Sequence, residues 1–169
     1  MRLEALTPPV PITDSHDLSQ FNCGVATLDE WLRKRALKNE KAAASRTYVT
    51  CDGSRVVGYY CLAVGAVALQ DAPKKMTRNM PDPIPVMVLG RLAIDKAYHN
   101  KGIGTALLQD AVRRTVQAGK IAGVSALLVH ALSEEAKRFY LSCGFVESPV
   151  QAMTLCLRLV DVMDVLTKS

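Results

Sequence analysis

Tyr98-His99-Asn100-Lys101-Gly102-Ile103-Gly104-Thr105-Ala106-Leu107-Leu108 runs from a glycine-bearing turn straight into an apolar segment of helical period. Before it, Val86-Met87-Val88-Leu89-Gly90-Arg91-Leu92-Ala93-Ile94 has the composition of a buried strand. A strand, a turn with two glycines and a helix N-terminus make a shape that binds anions. The first N–H groups of the helix lack intrahelical partners, and the macrodipole adds partial positive charge. The glycines let the backbone approach a phosphate. A Walker loop is excluded, because Lys101 precedes Gly102 and no glycine stands five residues earlier. A Rossmann fingerprint fails at Leu107, and Val124-Ser125-Ala126-Leu127 stands where its ribose-binding acid belongs. Taken alone, the turn is also compatible with an ordinary strand-to-helix connection.

Outward from this stretch, strand and helix patterns alternate late in the chain behind an antiparallel start. Thr27-Leu28-Asp29-Glu30 reads as a capping box, with Thr27 as N-cap of a helix to about Lys41. Leu28, Trp31, Leu32, Arg35 and Ala36 share one face of that helix. Thr47–Cys51 and Val56–Val67 read as strands joined at Asp52-Gly53. Residues 70–85 read as a functional loop, with Pro73, Pro81, Pro83 and Pro85. The helix after the glycine turn is expected over Ile103–Ala118, and Ala126–His130 is a buried strand. Ser133 is expected to cap a helix through Leu141 with Gly144 past its end, and Met153–Leu159 is a last strand. The expected class is α/β, one domain over residues 1–169 without repeats.

Composition narrows the function classes. Apolar residues make up 49% of the 169, enough for a full core. Val56–Leu69 carries no charge over 14 residues, short of the roughly 20 that span a bilayer. The N-terminal residues lack the apolar stretch of a signal peptide, so a cytoplasmic protein is expected, with no membrane partner. The five cysteines, Cys23, Cys51, Cys61, Cys143 and Cys156, have no paired spacing and read as reduced, buried thiols. His16, His99 and His130 show no metal-ligand spacing, and no metal is expected. Between Arg33 and Arg78 lie ten basic and three acidic residues. A one-sided basic region is the footprint of a polyanionic partner, nucleic acid first, or of a solvated helix face and loop.

Ser133-Glu134-Glu135-Ala136-Lys137-Arg138-Phe139-Tyr140-Leu141-Ser142-Cys143-Gly144-Phe145 supplies a second motif. The chain resembles the GNAT N-acetyltransferases. Their acetyl-CoA loop reads Gln/Arg-x-x-Gly-x-Gly/Ala, met here from His99 to Gly104 except that His99 replaces Gln/Arg. Their final helix reads roughly Ala-x-x-Phe-Tyr-x-x-x-Gly-Phe, met by Ala136, Phe139, Tyr140, Gly144 and Phe145. Two motifs in order, separated by a helix and a strand, are far more specific than either. The resemblance extends to the acetyltransferase toxins of bacterial toxin–antitoxin pairs. It is carried by Asn22-Cys23-Gly24, Leu28–Leu32, Ala44–Val49, Pro81–Pro85, Gly90–Asp95 and Leu128–Ser133, nearly the whole chain.

This resemblance implies a mixed central sheet flanked by helices, with splayed strands forming an acetyl-CoA cleft. It implies a toxin that acetylates the α-amino group of aminoacyl-tRNA and inhibits translation. The partners it implies are a ribbon-helix-helix antitoxin, operator DNA through the antitoxin complex, and a second copy in a homodimer. For the cofactor it marks Leu92, Ala93, Ile94, His99, Asn100, Lys101, Gly102, Ile103, Gly104, Thr105, Ala106, Ser133 and Phe139. Ser133 is expected both to cap its helix and to bond the cofactor's arm.

Acetyl transfer needs a neutral amine, a polarised carbonyl and a proton for the leaving thiolate. Tyr140 is the expected proton donor, since a phenol has a pKa near ~10 and a thiol near ~8.5. A strand N–H near Leu92–Ile94 is expected to polarise the carbonyl. Val86–Leu92 carries no acid to act as base. An α-amine, with pKa about 8, needs less help than a lysine near 10.4, although a water chain or Asp95 remains open as a base. Lys34, Lys38, Ser45, Arg46 and Arg78 are the expected tRNA phosphate contacts. Arg91 is expected either to meet the tRNA end or to pair with Asp95. Two alternatives stand beside this reading: acetylation of a small amine or a protein amino group, and a non-catalytic acetyl-CoA-binding or partner-binding module.

Overall fold

The computed structural model describes residues 5–162. Among them are seven strands: β1 (Val10–Pro11), β2 (Arg46–Asp52), β3 (Arg55–Val67), β4 (Ile84–Ile94), β5 (Ala126–His130), β6 (Val146–Glu147) and β7 (Thr154–Arg158). They form one mixed sheet in the order β1-β2-β3-β4-β5-β7-β6. The helices are α1 (Ala26–Trp31), α2 (Leu37–Lys41), α3 (Ile103–Gly119) and α4 (Glu134–Ser142). The chain divides into two compact units. One holds the residues to Ala63 with Gly90–Asp110, and the other Val64–Leu89 with the residues from Ala111.

In the first unit β2 and β3 form an antiparallel hairpin with a bulge at Thr50/Cys51. Gly53 turns it with φ +65°, a conformation that favours glycine. The core is Ile12, Phe21, Leu28, Leu32, Ala36, Val49, Val56 and Tyr59, so the apolar stripe of the first helix packs as its period predicts. Arg35, assigned to the same stripe, is exposed. α1 and α2 are joined by a π-helical stretch, Leu32–Ala36. The capping box does not form. The helix begins two residues earlier than expected, with Val25 as N-cap and no side-chain cap, which puts Thr27 inside the first turn. Buried Asp29 instead accepts the Cys23 N–H at 2.9 Å, tying the helix to the chain before it.

In the second unit β4 and β5 run parallel from Val86↔Ala126 to Leu89↔Val129. That register does not extend along the last five residues of β4. β5 pairs antiparallel with β7, and β6 closes on β7. Two-residue β1 and β6 escaped the sequence reading because neither is long enough to show a period. The expected loop of residues 70–85 is partly ordered: two short 3₁₀ turns, Leu69–Asp71 and Lys74–Met76, lie there, and β4 already begins at Ile84. Ala72 and Met76 join Val67, Ile84, Val86, Ala126, Leu128 and Cys156 in a second core. Ile103, Leu107, Leu108, Ala111, Val112 and Thr115 are the buried stripe of α3. All five cysteines are buried and unbridged.

Candidate active site

The glycine turn lies in the first unit and is held from below by one carboxylate. Asp95, 3% exposed, directly follows β4. Its Oδ1 accepts the Ala97 N–H at 2.9 Å, and its Oδ2 accepts the Asn22 N–H at 3.1 Å and faces Arg55 Nη2 at 3.4 Å. Those donors correct two expectations. Arg55, not Arg91, is the ion partner of Asp95, and its oxygens are occupied with structure rather than open to a substrate proton. His99 folds back so that Nε2 lies 2.7 Å from the Ile94 carbonyl. Asn100 and Gly102 take left-handed φ values of 62° and 79°, and α3 starts with Ala106 N–H donating to the Gly102 carbonyl at 3.1 Å. A Cβ added at Gly102 or Gly104 would meet nothing within 4 Å. The backbone here is therefore open for a ligand to approach. Lys101, Gly102, Ile103 and Ala106 line a cleft of about 370 Å³ with Thr50 and the Leu6–Pro9 segment. Thr105 is half-buried in the first turn of α3.

On β4, Ala93 is buried and Arg91, Leu92 and Ile94 are half-buried. The Arg91 guanidinium lies over the Trp31 ring, 4.3 Å from its centroid. Trp31 in turn stacks on Tyr59 at 6.0 Å and 10°, and Phe21 meets Tyr59 edge-on at 5.5 Å. Gly90 gives room for this strand, since a Cβ there would lie 3.0 Å from Cys61 Sγ. Trp31 and Arg55 were missed as site residues. No local pattern marks them, because their partners are some 60 and 40 residues away.

The second motif lies in the second unit. Ser133 Oγ accepts the Ala136 N–H at 3.0 Å and caps α4. Tyr140 is 6% exposed. Its ring meets Phe139 at 5.2 Å and Phe145 at 5.3 Å, both edge-on. Burial pushes its phenol well above the usual range, with the Cys143 thiol adding to the shift, so it holds its proton at neutral pH. Lys137 pairs with Glu147 at 3.3 Å and ties α4 to β6. In the same unit, His130 at the end of β5 lines a cleft of about 250 Å³ with Asp71, Gln151 and Thr154.

Among the expected phosphate contacts, Lys34 pairs with Glu30 at 3.7 Å on an exposed face, and Lys38 is exposed. Arg46 donates to Glu40 Oε2 at 2.7 Å and to the Glu40 carbonyl at 3.0 Å. Ser45 Oγ is buried without a hydrogen-bond partner among the described residues. These four belong to the first unit. Arg78 is exposed and belongs to the second. Among the described residues no three His, Cys, Asp or Glu side chains group as metal ligands, and no helix is long and apolar enough to cross a membrane.

Residues 43–147 match the family model described as an acetyltransferase (GNAT) domain. A tRNA-acetylating toxin from Mycobacterium tuberculosis is 46% identical over 159 residues, 94% of this chain and 96% of the relative. The toxin AtaT complexed with acetyl-methionyl-tRNAfMet superposes with a TM-score of 0.87 at 29% identity, covering 94% of this chain and 97% of that one. A mutant AtaT bound to acetyl-CoA and the C-terminus of the antitoxin AtaR superposes with a TM-score of 0.80 at 27% identity, covering 97% and 99%. The chain belongs to the GNAT acetyltransferase family, together with the tRNA-acetylating toxin of Mycobacterium tuberculosis.

Proposed function

We propose that this protein is the toxin of a toxin–antitoxin pair, and that it moves acetyl from acetyl-CoA to the α-amino group of aminoacyl-tRNA, which stops translation. The 46% identity to a tRNA-acetylating toxin along 94% of the chain carries the reading. The chain's own residues agree with it. The open backbone at Gly102 and Gly104, beside Lys101 and the N-terminus of α3, suits a pyrophosphate. Thr105 and Ala106 continue that first turn, His99 and Asn100 shape the loop, and the N–H groups of Leu92–Ile94 orient the thioester. Ser133 and Phe139 flank its pantetheine arm.

Tyr140 serves the departing thiolate. Its buried phenol is a weaker acid than an exposed one, so it first donates a hydrogen bond to the charge growing on sulfur. The proton crosses as the C–S bond breaks. Lys34, Lys38, Arg46 and Arg78 meet tRNA phosphates, which give affinity without sequence choice, whereas the buried Ser45 Oγ does not reach one. Arg91 meets the tRNA end, with its guanidinium placed over Trp31. The protein works in the cytoplasm as a homodimer. A ribbon-helix-helix antitoxin covers it, and through that complex it reaches operator DNA.

The test is transfer of radiolabelled acetyl from acetyl-CoA to a charged total tRNA pool, with the uncharged pool beside it. Label on charged tRNA alone is expected. Equal label on both pools, or on neither, would overturn the reading.

A further inference from the structure

β5 ends at His130, and its chain enters α4 three residues later through the Ser133 cap, on the helix that carries Tyr140. His130 is exposed. Its Nδ1 lies 2.9 Å from Thr154 Oγ1, its register partner on β7. Thr154, 7% exposed, directs its own hydroxyl proton at Gln151 Oε1 over a longer 3.4 Å. A hydroxyl that donates to an amide oxygen has only lone pairs left for a second neighbour. The tautomer that fits both contacts has Nδ1–H of His130 donating to Thr154 Oγ1. Nε2 keeps its lone pair, and among the described residues nothing bonds it. An imidazole held by one nitrogen with the other bare is how a proton acceptor is prepared.

The surroundings suit a cationic amine. Asp71 is the one other ionisable side chain lining the cleft, and its negative charge attracts an ammonium. Glu147, beside the lining residue Ser148, is paired with Lys137. The rest of the wall includes Gly65, Ala66, Val67 and Ala68 and the apolar Val88 and Leu128. β4 offers no acid that could act instead.

We infer that His130 is the general base of the reaction, with Thr154 as its positioning residue, and that the cleft around it receives the α-ammonium end of the acceptor. This rests on the proposed function. In the step, Nε2 takes one proton from the α-ammonium, and the freed lone pair forms the N–C bond to the acetyl carbonyl. As the C–S bond breaks, Tyr140 gives its proton to the sulfur, the second proton leaves the new amide nitrogen and restores the phenol, and His130 returns its own proton to solvent.

The test is the pH profile of single-turnover acetylation of charged tRNA by wild type, His130→Gln and Thr154→Val, from pH 6 to 9. About a tenth of an α-amine of pKa near 8 is neutral at pH 7. Without the base the rate should therefore fall about tenfold at pH 7, fall further toward pH 6, and match wild type above about pH 8.5. Free imidazole should restore part of the loss. Thr154→Val should show the same shape with a smaller deficit, and the KM for acetyl-CoA should not change. A wild-type rate at pH 7 in His130→Gln, or a deficit equal at every pH, overturns the inference and leaves the proposed function standing. A wild type that labels no charged tRNA overturns both.

Discussion

Tyr140→Phe should separate chemistry from stability more cleanly than any other single change. The ring is held by two edge-on partners, Phe139 at 5.2 Å and Phe145 at 5.3 Å, and the variant keeps both. Each such pair contributes about 0.5–1.5 kcal/mol beyond area burial. Among the described residues no protein group hydrogen-bonds the phenol oxygen, so its removal orphans no partner. Stability should therefore change by less than about 0.5 kcal/mol, whereas Tyr140→Ala, which empties the site, should cost about 3–5 kcal/mol. Chemistry should respond differently. Losing the proposed proton donor should slow acetyl transfer by roughly 10²–10⁴-fold, while acetyl-CoA binding, which we assign to the glycine turn, changes little. Single-turnover labelling of charged tRNA measures the first quantity, and urea unfolding with calorimetric titration of acetyl-CoA measures the others. If Tyr140→Phe keeps more than a tenth of the wild-type rate, Tyr140 is a core tyrosine and the acid lies elsewhere. If the rate falls only because the protein unfolds, the stability assignment is wrong.

Two further predictions concern the scaffold. Asp95→Ala should destabilise the protein by about 2–4 kcal/mol in urea unfolding, because it removes a buried carboxylate that accepts from the Asn22 and Ala97 N–H groups and pairs with Arg55; a cost under 1 kcal/mol would show that water replaces the carboxylate. The thiols give a pH test. Burial raises the Cys23 and Cys156 thiols to about 11, well above the ordinary thiol range. Below about pH 9 both states keep these protons. Above it the unfolded chain releases them first, so stability should hold to about pH 9 and fall between 9 and 11. Native protein should also leave Ellman's reagent unreacted until denaturant is added, and rapid native-state labelling of either thiol would contradict their burial.

Much of this protein was legible locally. The glycine turn, the Ser133 cap, the stripe of α3 and the β5 run rest on neighbours within a few residues, and period and capping chemistry report such neighbours directly. The Thr27 capping box did not form, because the helix started two residues earlier at Val25, and Asp29 accepted the nearby buried Cys23 N–H. β1 and β6 carry too few residues to announce themselves and exist only because β2 and β7 offer open edges.

By itself the sequence determined the order of the elements, the two motifs and the family they point to, since each depends on residue type at fixed spacing. Tertiary structure alone decided which charges meet. Asp95 could face Arg91 or Arg55, and the fold delivered Arg55 and laid Arg91 on Trp31. His130 read as an isolated histidine until strand register set it against Thr154, 24 residues on. The physical reason is common to all three. Spacing along the chain governs which backbone groups pair, but a side chain's protonation and role depend on partners that only folding brings within about 3–4 Å.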